Sequence, residues 1–368
     1  MIKKVLLINS FCGCGSTGRI VENIARDWLK KSVDCRIAYG RDKVGCEDIE
    51  TYKIGGRLNY IIHGMKARLF DSAGFESKIA TKKFIKWIDK FNPDLIHIHN
   101  LHGYYINIEL LFEYLKTKNY EIKWTFHDCW AFTGHCSYFD YIGCNRWENQ
   151  CLDCPQKKEY PKSFFLDNSK KNYNMKKKCF CGLKNLTIIT PSNWLKNLIK
   201  KSFLKEYKVE VQYNTIDTNI FKKRQSKFKE INGIKDKKIV LGVANIWEKR
   251  KGLQDLIELS KLLPEEFLVI IVGLDEQQLK SLPKNILGIK RTKNAIELAE
   301  IYSAAFVYVN TTYEDNYPTT NLEAIACGIP VLTYNTGGSV ESVDKKNIVE
   351  KGDIVAIAKK IIDLSLEN

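Results

Sequence analysis

Residues 311–338 (TTYEDNYPTTNLEAIACGIPVLTYNTGG) combine acidic side chains with the expected beginning of a helix. Asp315 lies in the loop after a predicted strand, and Glu323 lies near the N-terminus of the helix that follows. Backbone N–H groups at a helix N-terminus attract a diphosphate, and a carboxylate accepts hydrogen bonds from the vicinal hydroxyls of a ribose. The segment therefore predicts a nucleotide site. The further residues predicted to contact the nucleotide are Asn316, Thr319, Thr320, Asn321 and Leu322.

A second candidate loop, residues 12–18 (CGCGSTG), contains only small side chains and follows the first predicted strand. At Gly13, Gly15 and Ser16 a backbone can approach a phosphate or a sugar closely. The loop is not a complete G-x-G-x-x-G fingerprint, and no acidic residue follows at the spacing that suits a nicotinamide ribose. A dehydrogenase is therefore disfavoured.

Four cysteines fall within nineteen residues of a Cys-rich segment, residues 129–156. These four are Cys136, Cys144, Cys151 and Cys154. A C-x-x-C pair with two further cysteines nearby is typical of a closed, tetrahedral structural zinc site in a reducing compartment. We expect these cysteines to bind a structural zinc ion. The alternative is that they are unligated thiols or form disulfides. We expect catalysis itself to require no cofactor.

Strands and helices that alternate along the chain must position these groups. In the first half, strand signals such as 4–9 alternate with helix signals such as 19–30, and the same pattern returns in the second half with strand 267–272 and helix 321–327. Such alternation indicates parallel α/β sheets, which bind ligands at the carboxyl ends of their strands. We expect a polar linker at 214–233 and two Rossmann-like, doubly wound domains, residues 1–213 and 214–368.

The acidic segment also resembles the E-x7-E and E-A-x-A-C-G-x-P-V signature of family four of the retaining glycosyltransferases, with Asp315 and Glu323 at the two acidic positions. The resemblance covers essentially the whole chain. It implies the GT-B fold, in which two Rossmann-like domains face each other across a cleft. The first domain would then contact the acceptor, and the second would bind a nucleotide sugar.

The resemblance also assigns roles to individual residues. Residues 242–252 (GVANIWEKRKG) are similar to the loop whose lysine grips the donor pyrophosphate, and Lys251 matches that lysine. The family's usual arginine is absent from its position, so Arg250 is the expected substitute. His127 resembles the histidine that contacts the donor sugar from the first domain. Together with Asp315 and Glu323, these form the expected catalytic set.

The segment 96–105 (IHIHNLHGYY) places three histidines at the end of a strand. His97 and His99 alternate with isoleucines and therefore face one side of the sheet. They could bind a metal, but we favour His99, Asn100 and His102 as polar contacts to the acceptor. The segment is similar to a bacterial subgroup that builds capsule, exopolysaccharide or O-antigen repeats.

The net charge of +15 is concentrated in the first half of the chain. Eight lysines between residues 157 and 178 suggest a face that attracts an anionic inner membrane or nucleic acid, unless they are simply solvated. These lysines are Lys157, Lys158, Lys162, Lys170, Lys171, Lys176, Lys177 and Lys178. The sequence contains no aromatic-and-basic recognition motif for nucleic acid. The short apolar run at 5–8 does not match a signal peptide, so we expect a cytoplasmic protein, associated at most peripherally with the membrane.

These observations predict a retaining glycosyltransferase that moves a hexose-type sugar from a UDP- or GDP-sugar. The acceptor would be lipid-linked or a saccharide in bacterial surface polysaccharide synthesis. Two alternatives belong to other classes: a non-catalytic protein that binds nucleotide sugars, and, less favoured, a nucleic-acid-binding protein.

Overall fold

The computed structural model describes residues 2–367. Its internal contacts divide the chain between Tyr213 and Asn214 into two compact units. Each unit is a parallel α/β sheet with helices on both faces, which is the architecture that alternating strands and helices favour.

The first unit is built on one parallel sheet. In its described residues, seven strands pair in the order β3-β2-β1-β4-β5-β6-β7. The strands are β1 (Lys4–Asn9), β2 (Asp34–Tyr39), β3 (Thr51–Lys53), β4 (Leu95–Ile98), β5 (Glu121–Thr125), β6 (Leu186–Thr190) and β7 (Lys208–Val211). The helices are α1 (Gly15–Lys30), α2 (Arg57–Phe70), α3 (Lys78–Phe91), α4 (Ile108–Lys116), α5 (Ser169–Phe180) and α6 (Asn193–Ile199), and 3₁₀ turns form at Trp130–Phe132 and Arg146–Glu148.

The second unit repeats this plan. Up to residue 367 its sheet contains six parallel strands in the order β10-β9-β8-β11-β12-β13. The strands are β8 (Lys238–Val243), β9 (Phe267–Val272), β10 (Ile286–Ile289), β11 (Val307–Asn310), β12 (Val331–Tyr334) and β13 (Ile348–Val349). The helices are α7 (Phe228–Ile231), α8 (Leu253–Leu262), α9 (Glu276–Ser281), α10 (Ala295–Ala304), α11 (Thr319–Ala326) and α12 (Ile354–Leu366), and 3₁₀ turns form at Lys249–Lys251, Ser339–Ser342 and Lys345–Asn347.

Alternating side chains of the central strands supply a separate core on each face of a sheet. In β1, Leu6 packs into one hydrophobic cluster and Leu7 into another. In β9, Val269 and Ile270 divide in the same way between the two clusters of the second unit. A strand that is buried on both faces needs a nearly continuous run of apolar residues. Such runs are visible in the sequence, and they therefore predict these strands.

The central elements lie where the sequence predicts them, and the helix starts differ. Strands β1 and β9 have the predicted bounds. Helix α1 begins at Gly15 instead of residue 19, and α11 begins at Thr319 instead of residue 321. The expected linker contains the short helix α7. The small or β-branched residues in these first turns hide the helical periodicity.

One lysine of the basic run is buried inside the first unit. Lys176 is 1% exposed, so its inclusion in a charged face is wrong. Its ammonium donates hydrogen bonds to the carbonyl oxygens of Trp130 at 2.7 Å and Thr133 at 3.0 Å, and it lies 3.6 Å from the centre of the Trp130 ring. Burial lowers the pKa of Lys176 to about 7. This lysine therefore fixes the 3₁₀ turn after β5 from the inside.

Among residues 2–367, none of the helices is both long enough and apolar enough to span a bilayer.

Two glycines at the N-terminus of α1 allow a matched test of backbone strain. Gly13 and Gly15 both have a left-handed backbone, with φ of +69° and +66°. A Cβ atom on Gly13 would lie 2.0 Å from the carbonyl oxygen of Val44, whereas one on Gly15 would meet nothing within 4 Å. We expect Gly15→Ala to lower the free energy of unfolding by about 1–2 kcal/mol. Gly13→Ala should cost a further amount of about 1–3 kcal/mol from overpacking.

Urea denaturation of the two variants measures this difference. Equal losses would contradict the close contact between Gly13 and Val44.

Candidate active site

A turn made of three cationic residues follows the central strand of the second unit. The 3₁₀ turn Lys249–Lys251 comes after β8, and Gly252 next to it has a φ of +70°. The Thr311 hydroxyl, just after β11, donates to the carbonyl oxygens of Lys251 at 3.1 Å and Gly252 at 2.9 Å. The Tyr313 amide donates to the carbonyl oxygen of Arg250 at 2.7 Å. The loops after two neighbouring parallel strands are thus bonded together.

The cations of this turn face the acidic loop. Lys251 forms an ion pair with Asp315, and the Asn316 amide donates to the other carboxylate oxygen of Asp315 at 2.9 Å. Burial opposes the ionisation of Asp315, but the charges of Lys251 and Arg250 outweigh it and lower the pKa of this carboxyl group. Arg250 donates to the carbonyl oxygen of Glu314 at 3.0 Å. The cations are therefore held in defined positions.

Helix α11 begins directly after this loop. Its N-cap is Pro318, which has no side-chain group that could bond to the first turn, and that turn contains no acidic residue. Thr319, Thr320 and Leu322 are partly buried. Such a helix N-terminus, next to two cations, favours an anion.

Asn321 is fully buried in the same turn of the helix. Its side-chain oxygen accepts from Asn310 at 2.8 Å, and its amide donates to Ser342 at 2.9 Å. These bonds join the end of β11, the start of α11 and the 3₁₀ turn after β12. The placement suits a residue that positions the loop.

Glu323 lies one turn further along α11 and is 5% exposed. Its carboxylate accepts a hydrogen bond at 3.2 Å from the hydroxyl of Tyr302, a residue of α10. This hydrogen bond holds the buried carboxylate against α10.

In the first unit, the small-residue loop opens onto a long helix. Gly15 and Ser16 are exposed at the N-terminus of α1, and the first turn of this helix contains no acidic residue. The Gly13 amide is bonded to the carbonyl oxygen of Gly18 at 3.2 Å. The exposed end of α1 can therefore accept an anion or a sugar hydroxyl.

Three histidines form a buried row at the ends of β4 and β5. His97 Nε2 lies 2.8 Å from the Thr125 hydroxyl, and His99 Nδ1 lies 3.0 Å from His127 Nε2. Burial lowers the pKa of His97 to about 3 and that of His127 to about 4, so both rings are neutral at pH 7. Within residues 2–367, the buried Nε2 atom of His99 has no hydrogen-bond partner. A buried polar atom of this kind suits a ligand contact.

His102 lies next to these histidines and contacts the carboxylate of Asp128, the residue after His127. Its Nε2 atom lies 2.8 Å from Asp128 Oδ2, and its Nδ1 atom lies 3.0 Å from the Tyr160 hydroxyl. Burial opposes the ionisation of Asp128, but His102 and the Trp130 amide outweigh it and lower the pKa of this carboxyl group. The residues that line the pocket at this point include His99, Asn100, His102, His127 and Asp128.

The four cysteines predicted to bind zinc, Cys136, Cys144, Cys151 and Cys154, line one pocket. A hydrogen bond from the Cys136 thiol lowers the pKa of Cys154 to about 7. The sulfur of Cys151 accepts from the Gly134 amide at 3.2 Å. In the part of the chain from residue 2 to 367, no group of three or more His, Cys, Asp or Glu side chains has a geometry that could hold a metal ion. The zinc site remains a prediction from the sequence.

The structure thus gathers the predicted residues within each unit. Arg250, Lys251, Asp315 and the start of α11 follow two adjacent strands of the second sheet. His99, His102 and His127 lie together at the corresponding edge of the first sheet.

The profile of the family described as Glycosyltransferase Family 4 matches residues 17–220, which is more than half of the chain. The chain belongs to this family. A second profile, Glycosyl transferases group 1, matches residues 224–368. The two profiles meet near the boundary between the two units.

Curated relatives of this family 4 protein match over shorter regions. A protein of Escherichia coli (strain K12), named as a colanic acid biosynthesis glycosyl transferase, WcaC, is 36% identical over 74 residues, which are 19% of this chain and 18% of that protein. The capsular polysaccharide biosynthesis glycosyltransferase CapM of Staphylococcus aureus is 28% identical over 195 residues, or 47% of this chain and 50% of CapM. The chain thus spans half or less of the length of each.

The fold of the family 4 chain matches solved structures over its whole length. The Anabaena protein Alr3699/HepE, in complex with UDP-glucose, superposes with a TM-score of 0.65 at 14% identity. The match covers 99% of this chain and 90% of that protein. At this identity the likeness establishes the fold, which is GT-B.

Several positioning residues escape analysis of the sequence. Asp255 on α8 accepts hydrogen bonds from the hydroxyls of Tyr313 and Tyr334, both at 2.7 Å. Glu314, next to the predicted Asp315, is 1% exposed. The sequence gives no signal for the Asp255 contacts because the partners lie 58 and 79 residues away. The sequence does give a signal for Asp128, because this residue directly follows His127.

The buried histidines predict how stability depends on pH. Burial lowers the pKa of His63, His97, His99 and His127 below the unfolded value of about 6.5, whereas the pKa of His135, despite burial, is raised by Asp71. Groups with lowered pKa stabilise the fold above pH 6.5 and lose this contribution as the pH falls. We expect the free energy of unfolding to fall between pH 6.5 and 5, by up to about 1.4 kcal/mol per pH unit for each group.

Denaturation midpoints at several pH values measure this fall. His97→Gln, which cannot titrate, should show a shallower decline than the wild type. A constant midpoint from pH 7.5 to 5 would refute the buried neutral row.

Metal analysis of the purified protein tests the zinc prediction. Protein prepared without chelators should contain about one zinc per chain, and Cys144→Ser should reduce that content while the distant Cys35→Ser should not. A zinc-free protein whose four thiols all react when it is unfolded would contradict the prediction.

Proposed function

We propose that this protein is a retaining glycosyltransferase that moves a hexose-type sugar from a UDP- or GDP-sugar to a lipid-linked or saccharide acceptor. It would act in the cytoplasm, in the synthesis of a bacterial surface polysaccharide. The observation that carries the proposal is the pair of cations, Arg250 and Lys251, bonded in place beside the N-terminus of α11.

This arrangement suits the leaving group of such a reaction. A nucleoside diphosphate gains negative charge as the bond to the sugar breaks, and fixed cations and helix amides stabilise that charge without reorganisation. Asp315 keeps Lys251 oriented before the donor binds, and the diphosphate then competes for the same ammonium. Glu323 would accept hydrogen bonds from the ribose hydroxyls.

The chemistry exchanges one bond to the sugar for another. The bond between the anomeric carbon and the diphosphate oxygen breaks, and a bond to the acceptor oxygen forms on the same face. The proton of the acceptor hydroxyl passes to the departing phosphate. In this scheme no side chain needs to act as a nucleophile, and the protein supplies position and charge.

The first unit would supply the contacts to the sugars. His127 and the unpaired Nε2 atom of His99 offer neutral polar groups, which suit sugar hydroxyls better than charged ones in a buried pocket. Asp128 holds His102 in one orientation toward the acceptor side. The UDP-glucose in the HepE complex and the capsular role in the name of CapM support the choice of donor and pathway.

Kinetics of a lysine pair test the donor site. Lys251→Met should lower kcat on the order of 10²-fold, because it removes a cation from the charge that develops in the transition state. Lys249→Met removes an exposed lysine two residues away and should change kcat less than twofold. Release of UDP or GDP from each donor sugar, with and without acceptor, is the measurement. Equal rates in both variants would refute the role of Lys251.

Glu323→Gln isolates the ribose contact. Hydrogen bonds to a charged group contribute about 1.5–3 kcal/mol, so donor binding should weaken by one to two orders of magnitude. Thermal shift titrations with UDP, GDP and their sugars measure this binding and identify the base. Saturable donor binding without any diphosphate release, across a panel of acceptors, would favour the non-catalytic alternative.

A further inference from the structure

Helix α2 exposes an apolar stripe that the sequence analysis did not detect. The exposed large side chains Leu58, Ile61, Ile62, Met65 and Leu69 are spaced by three and four residues and therefore lie along one face of the helix. Leu58 is 74% exposed and Met65 is 52% exposed. Five neighbouring apolar side chains in water are too many for isolated surface residues and mark an interaction surface.

The opposite face holds α2 firmly in the fold. His63, Gly64 and Ala67 are buried on that face. His63 Nδ1 lies 2.7 Å from the Ser77 hydroxyl, and its Nε2 atom accepts from the Gly74 amide at 3.2 Å. The apolar stripe is therefore a fixed outer surface of a packed helix.

A loop at residues 164–166, between the Cys-rich segment and α5, extends the stripe. Phe164, Phe165 and Leu166 are all exposed, with Phe165 at 70%. The Phe164 amide donates to the carbonyl oxygen of Arg68 at 2.8 Å, which anchors the loop at the C-terminal end of α2. The exposed Phe70 lies at the same end. Helix and loop thus form one continuous surface, called here the α2 surface.

Basic side chains border the α2 surface. All the charged residues of α2, namely Arg57, Lys66 and Arg68, are cations. Near the loop, the Lys157 ammonium donates to the carbonyl oxygen of Phe165 at 3.2 Å, and Lys158 and Lys162 are exposed. The acidic residues nearby in the chain are Asp71, which is buried and pairs with His135, Glu76, which pairs with Lys66, and also Glu159 and Asp167. Cations exceed acids by six to four, and by six to three among the residues that are not buried.

We propose that the α2 surface docks on a bilayer that contains anionic phospholipids. The apolar side chains would enter the boundary between headgroups and acyl chains, and the bordering cations would meet lipid phosphates. A second copy of the chain fits less well, because a symmetric contact would bring the same excess of cations together. The membrane contact predicted from the lysine run is therefore assigned to α2 and to the loop 164–166, which lies within that run.

This docking goes beyond the proposed activity and does not depend on it. It would also bring a lipid-linked acceptor close to the site. Tyr60 of α2 contacts Tyr104, Tyr104 contacts Tyr160, and Tyr160 bonds to His102. The row of aromatic side chains thus runs from the α2 surface to the pocket that contains Asp128.

Vesicle flotation tests the docking. Wild-type protein should bind vesicles of phosphatidylcholine with 30% phosphatidylglycerol at least tenfold more tightly than vesicles of phosphatidylcholine alone, and 0.5 M NaCl should weaken this binding. Two double variants, Ile62→Ser/Met65→Ser and Phe164→Ser/Phe165→Ser, should each bind at least tenfold more weakly. The control Ile231→Ser/Val355→Ser removes side chains that are 80% and 69% exposed in the second unit, and it should bind like the wild type.

Three results would overturn the proposal. The wild type fails to bind the anionic vesicles, or the α2 variants bind as tightly as the control, or light scattering finds a dimer that only the α2 variants abolish and that vesicles do not compete with. Melting temperatures and donor binding of the variants, measured without vesicles, should equal those of the wild type. This readout separates failed docking from misfolding and from failure of the proposed function.

Discussion

The hydrogen bonds between the loops after β8 and β11 are the constraint on which the cationic site of the second unit depends. Two cations next to each other repel, and neither would stay in place on a free loop. Here hydrogen bonds from the Thr311 hydroxyl and the Tyr313 amide fix the turn, and Asp315 balances the charge of Lys251. The fold can therefore keep a cationic site assembled without a ligand, at the edge of a sheet where parallel strands place their loops.

In the first unit, by contrast, the buried histidines at the ends of β4 and β5 are neutral. His97, His99 and His127 are buried beside one another, and burial lowers the pKa of each ring, with a smaller contribution to His99 from His97 and His127. Neutral imidazole rings can exchange hydrogen bonds with uncharged hydroxyl groups. The contrast between these rings and the cations of the second unit follows from burial and from the residues that face each group.

The sequence predicts the central strands well, because burial on both faces leaves a clear apolar run, as in β1 and β9. It also predicts site roles for Lys251, Asp315 and Glu323 from two separate segments, and the structure joins Lys251 and Asp315 in an ion pair. The roles themselves stay predictions. It misses α2, whose outward apolar face breaks the usual pattern of a surface helix, and it misjudges Lys176, whose burial depends on Trp130. Contacts between residues distant in the chain, such as those of Asp255, leave no local signal.

All the candidate groups follow the carboxyl ends of strands, and the opposite edge of each sheet holds none of them. The turn between α4 and β5, where Lys118 and Asn119 are exposed, belongs to that opposite edge, as does the turn at Asn232 and Gly233 before β8. Fluorophores, affinity tags or crystallisation chaperones attached at these turns would report on the molecule while leaving its working edge untouched.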